Sequence, residues 1–217
     1  MKSIFRSIVI LIISIMIAST SSNVFAKDKN AEYFNEYKNI VEDMYKTMKS
    51  LPESKNVDID YLNEMIAHHE TAVNMSKNYI EYNKWTKEIK VIAENIISNQ
   101  GESIKHMESL IKEIQKSNQS DITKESQYLI EYNDILNKMY KNLINLKSTG
   151  EINRDYLQAL IIHHQGAIDM FELISKYTNN EDIKKMIEKE KEAQSAEITK
   201  MDMILQKTKD FKTHDLK

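Results

Sequence analysis

Met65-Ile66-Ala67-His68-His69-Glu70-Thr71-Ala72-Val73-Asn74-Met75 decides the fold, because the chain says it twice. Leu160-Ile161-Ile162-His163-His164-Gln165-Gly166-Ala167-Ile168-Asp169-Met170 follows at an offset of 95, with the His-His pair, the Ala and the Met in register. In the first copy Tyr61, Met65, His68, Ala72, Met75 and Tyr79 recur at steps of three and four, the spacing of one helix face. Leu62, Ile66, His69, Val73 and Ile80, with Ser76, form the adjoining stripe. In the second copy Tyr156, Leu160, His163, Ala167 and Met170, beside Ile161, His164, Ile168 and Ser175, do the same. Both segments read as amphipathic helices whose apolar face carries the histidines inward or to the edge of a core.

The repeat extends outward from these segments. Met44-Tyr45-Lys46 matches Met139-Tyr140-Lys141, and Asp60-Tyr61-Leu62 matches Asp155-Tyr156-Leu157. One residue is then lost, and at an offset of 94 Ile89, Gln100, Ile104 and Met107 match Ile183, Gln194, Ile198 and Met201. Each half is a three-helix unit, and packing two of them buries faces that neither buries alone. Only 3 Gly and 1 Pro interrupt 217 residues, so the spacing predicts an all-α helical bundle of two duplicated halves. Six helices are expected, at about 32–50, 58–82, 85–116, 122–147, 153–177 and 180–209, with ends uncertain by ~2–4 residues. Pro52 ends the first, Asp58 caps the second, and Asn83 or Thr86 the third. Gly150 closes the fourth in a left-handed conformation, and Asn180 caps the sixth.

The amino terminus reads as a secretory signal peptide. Lys2 and Arg6 precede an apolar run from Ile8 to Ala18, and Val24-Phe25-Ala26 offers small residues for cleavage. The alternative is an uncleaved anchor, but the run is short of the ~20 apolar residues that span a bilayer. The domains are then a signal peptide at 1–26, a first repeat half at 27–118 and a second at 119–217, the two halves forming one domain. Removing 26 of 217 residues leaves 191, and losing Lys2 and Arg6 takes the formal charge from −3 to −5. A mildly acidic chain with interspersed charges has no footprint for nucleic acid, and the mature chain carries no membrane-spanning run. Localisation is expected to be secreted or in the cell envelope.

Cysteine is absent, so a soft metal ligand in this chain is a methionine or a histidine. Four imidazoles on apolar faces cost desolvation unless each nitrogen finds a partner. A metal ion is one such partner; a hydrogen-bonded structural core is the other reading. Imidazole with thioether, without thiolate, suits copper as Cu(I) better than zinc. The expected ligands are His68, His69 and Met75, assisted by Met65 and Met107, with a weaker set at His163, His164, Met170 and Met201, where Leu160 replaces the thioether of Met65. Adjacent residues diverge by ~100° on a helix, so one member of each pair must face a neighbouring helix, for the first pair toward Met107 or His106. Glu102 and Glu197 are candidate acceptors orienting an imidazole, although an exposed helix face is the preferred reading of both, and Ala72 and Gly166-Ala167 leave room for a close helix approach or for an ion. Met201-x-Met203 and His106-Met107 resemble the lures of Met-rich proteins, with core packing the other reading for two of those four residues, His214 sits in a polar tail, and Trp85, Tyr33 and Tyr37 read as packing residues. Glu64 precedes His68 by four, and the second half has Ala159 there, so the Glu-x-x-His pattern of di-iron bundles fails. His69-Glu70 is not followed by His at 73, so the zinc-protease pattern fails too.

Met65-Ile66-x-His68-His69-x-x-Ala72-x-x-Met75, with Asp58 and Tyr61 upstream and Gln194, Glu197, Ile198 and Met201 later, resembles the signature of the domain-of-unknown-function family numbered 305. The resemblance spans about residues 32–207. It implies a ferritin-like bundle, usually exported, with some members associated with copper binding and copper tolerance in the cell envelope. The leading expectation is an exported copper-binding protein that sequesters or delivers the ion. A non-catalytic structural or interaction bundle is the alternative. An envelope metallo-oxidase ranks last, because no carboxylate pair or nucleophile constellation is evident.

Overall fold

The computed structural model describes residues 29–82, 84, 86–117 and 122–214, and all regular structure among them is helical. Six helices follow in order: α1 (29–49), α2 (Val57–Glu81), α3 (Lys87–Ser117), α4 (Ile122–Ile144), α5 (Ile152–Ile174) and α6 (Glu181–His214). The all-α bundle expected from the sequence is therefore observed. The signal peptide, Asn83 and Trp85 lie outside the described residues.

Local chemistry sets the helix ends. Asn56, not Asp58, caps α2: its side-chain oxygen accepts from the backbone N–H of Asp58 at 3.0 Å and of Ile59 at 3.2 Å. Asp58 and Asp60 then fall in the first turn, where the positive end of the helix favours them. Thr86 caps α3 through its hydroxyl, and Asn180 caps α6 by accepting from Asp182 and Ile183. Gly150 does have a left-handed backbone, φ 77°, but it does not close α4. That helix ends at Ile144, and the glycine sits in the turn that enters α5. Lys55, 95 residues earlier, takes the same conformation at φ 65°. Ser54 N–H donates to Asp60 at 2.8 Å and Thr149 N–H to Asp155 at 2.7 Å, again 95 apart. The repeat in sequence is thus a repeat in local structure at these two loops.

The His-pair helices α2 and α5 pack on each other at the centre. Each also packs on the helix that follows it, α2 on α3 and α5 on α6. α4 covers α5, and α1 meets α4 through the stacked rings of Tyr45 and Tyr140, 4.1 Å apart, and the Tyr37 hydroxyl bonded to the Leu143 carbonyl. Tyr61, Met65, His68, Ala72, Met75 and Tyr79 are all buried, as the stripe requires, and so are Tyr156, Leu160, His163, Ala167 and Met170. Tyr33 and Tyr37 are core residues, in line with their reading as packing residues. Gly166 allows the close approach of α4: a Cβ there would run into Met139 Sδ.

Candidate metal centre

The α2–α5 packing brings His68 and His163 face to face. Their ring centroids are 3.7 Å apart and their planes 29° off parallel. His68 Nε2 donates to the His163 backbone carbonyl at 3.2 Å. A carbonyl only accepts, so this nitrogen carries the proton and Nδ1 keeps its lone pair. Burial, more than the neighbouring imidazoles, holds both His68 and His163 well below the ordinary histidine value, so both rings are neutral at physiological pH.

The second histidine of each pair turns away to α6. The centroids within each pair are 6.2 Å apart, tilted by 57° in one and 59° in the other. His164 Nε2 donates to Glu197 Oε2 at 2.8 Å. His69 Nε2 lies 3.7 Å from Glu190 Oε2, too far for a hydrogen bond but close enough for charge to be felt. Ser103 of α3 donates to the other Glu190 oxygen at 2.5 Å. Burial pushes the Glu190 carboxyl up, yet His69, Ser103 and Lys189 together outweigh it and hold the group below its ordinary value.

Six of the eight ring nitrogens find no hydrogen-bond partner among the described residues: His68 Nδ1, both of His69, both of His163 and His164 Nδ1. An unmet buried polar group costs ~1–3 kcal/mol. All five expected thioethers are buried as well: Met65 and Met75 on α2, Met107 on α3, Met170 on α5 and Met201 on α6. Met107 and Met201 each stand one helical turn beyond the residue that meets a Glu190 or His164 partner, Ser103 and Glu197. No three His, Cys, Asp or Glu side chains among the described residues converge closely enough to hold one ion.

The expected residues are grouped differently from the sequence reading. One set was expected on α2 and α3 and a weaker one on α5 and α6; instead His68 of the first set stacks on His163 of the second. His69 faces α6 rather than His106, which is exposed on α3. Glu102 is exposed and orients no imidazole, whereas Glu197 does. Met203 is exposed on the outer face of α6, and α6 continues to His214, past its expected end. Glu190 was not anticipated. Its signal is the step pattern Glu190, Gln194, Glu197, Met201, an inward seam of α6 interrupted by polar residues. Gln100 was noted only as a repeat marker, and Gln194 as a repeat marker and part of the family signature, yet both are buried with unpartnered amide atoms.

A family model described as Domain of unknown function (DUF305) matches residues 40–111 and 58–205, more than half of the chain. The chain belongs to that family. Neither the curated proteins nor the solved structures searched contain a similar chain.

Proposed function

We propose that this member of the family is an extracytoplasmic metal-binding protein that takes copper, as Cu(I), on buried imidazole and thioether donors, and sequesters or delivers it. The bond from His164 Nε2 to Glu197 carries the reading. A metal-ligating histidine characteristically donates its other ring N–H to a carboxylate or a backbone carbonyl, which fixes the tautomer and raises the basicity of the free nitrogen. His164 has that form through Glu197, and His68 has it through the His163 carbonyl. In both, the unpartnered Nδ1 is the donor atom. Residues that would hold the ion are His68, His69, His163 and His164 with Met65, Met75, Met107, Met170 and Met201. Neutral nitrogen and sulfur donors without thiolate favour the monovalent soft ion, and no redox step is required for storage. Export is supported by the amino-terminal sequence alone.

A non-catalytic bundle with a polar core is the second reading. It is favoured by the same Glu197 bond and by the lack, among the described residues, of three converging His, Cys, Asp or Glu side chains. Protein recovered from the envelope or medium of cells grown with copper, zinc and iron separates the two. The expected result is an intact mass beginning near Lys27 and bound copper in preference to zinc or iron. Metal-free protein whose melting temperature does not respond to added Cu(I) would support the structural reading, and a mass still including Met1 to Ala26 would refute cleavage.

A further inference from the structure

His69 and His164 are wholly buried, so an ion reaches them only through an opening in the bundle. A cleft of about 790 Å³ separates α3 from α6. Its lining includes Glu190 and Glu197, the two carboxylates that meet those imidazoles. The other cavities described are lined by neither carboxylate and by no histidine. Glu190 and Glu197 are partly exposed, at 19% and 24%, so each presents one side to the cleft and one to an imidazole.

Two further features point to a ligand. Gln194 is 2% exposed and lines the cleft, yet neither its Nε2 nor its Oε1 has a hydrogen-bond partner among the described residues. Gln100, its counterpart on α3 at the offset of 94, lines the same cleft with an unpartnered Oε1. A buried amide with nothing to bond is costly, and an apolar residue of similar size would stabilise the fold better. The cleft is also acidic: five carboxylates line it against Lys185 and Lys189, a formal balance of −3. A concave surface of one sign raises the local concentration of oppositely charged ions and speeds their association.

We infer that the α3–α6 cleft is the route by which a cation reaches the imidazole layer, with the buried Gln194 and Gln100 amide oxygens, beside the Glu190 and Glu197 carboxylates, as an intermediate station between solvent and the imidazoles. This inference rests on the copper reading above. The chemistry is ligand exchange in order of softness. An incoming ion meets oxygen donors first and passes to nitrogen and sulfur donors that hold a soft ion more strongly.

The test is the rate of Cu(I) transfer from a chromophoric chelator to the full-length mature protein, followed by stopped flow beside the equilibrium affinity. The E102K/E113K variant reverses two exposed cleft carboxylates that touch no imidazole. Gln194→Leu removes the amide at similar volume. Both are expected to load roughly tenfold more slowly, E102K/E113K through lost electrostatic focusing and Gln194→Leu through the lost amide oxygen, with affinity unchanged within about twofold. The E102K/E113K deficit should shrink as salt rises. Wild-type rates in both variants would overturn the inference and leave the copper reading standing. A loss of affinity without a change of rate in Gln194→Leu would overturn it too, by making Gln194 a resident ligand. Failure of the wild type to bind Cu(I) overturns the copper reading and the inference with it.

Discussion

Glu64 lies four residues before His68 on the same helix, yet its carboxyl turns to the Tyr128 hydroxyl of α4. Burial pushes this carboxyl well above its ordinary value near 4.5, the Asp60 charge adds to the rise, and the Tyr128 bond offsets part of it. The folded protein thus keeps a proton that the unfolded chain releases once pH passes the ordinary Glu range. The stability tied to Glu64 is fully present below that range and is lost as pH rises toward the raised folded value. One such proton changes stability by at most ~1.4 kcal/mol per pH unit. Glu64→Gln keeps an acceptor for Tyr128 and removes the titration. Urea denaturation at pH 5 and pH 8 should show the wild type losing more stability across that interval than the variant. Equal losses would mean that the Glu64 carboxyl ionises as freely in the folded chain as in the unfolded one.

Helix positions were legible in the sequence because apolar residues keep one period and Gly and Pro are scarce, so little competes with the helix. Ends were less legible. Asp58 and Asn56 are both competent caps, and the choice between them falls to the loop, where Lys55 turns left-handed and Ser54 reaches back to Asp60. That geometry delivers the Asn56 oxygen to the first free N–H groups. Asn56→Ala should therefore destabilise the fold by about 1 kcal/mol, whereas Asp58→Ala should cost less than half of that through the weaker helix-end field. Paired thermal melts of the two variants decide. A larger loss for Asp58→Ala would move the cap back to where the sequence first placed it.

At the scale of the whole molecule, the burial of both His pairs followed from their place on the apolar stripes. Which ring meets which did not, because periodicity fixes the inward face of a helix and not its rotation or height against a neighbour. The stack of His68 on His163 and the turn of His69 and His164 toward α6 are properties of the assembled bundle. Glu190 was hidden for the same reason: alone on a seam, a glutamate looks like a solvated break until a buried imidazole faces it. The assembled layer makes the central claim sharper than the sequence did. If the four imidazoles serve one ligand layer, removing either pair must weaken binding, and so must removing the carboxylate that orients His164. The decisive measurement is a Cu(I) competition titration against a chelator for the wild type, H68A/H69A, H163A/H164A and Glu197→Ala, with the melting temperature of each. The account predicts that each double variant loses more than tenfold in affinity, about 1.4 kcal/mol or more. It predicts that Glu197→Ala, at a partly exposed site, loses ~10–100-fold while staying folded. Unchanged Cu(I) affinity in all three variants, with lowered melting temperatures in the double variants, would contradict it and make the imidazoles structural.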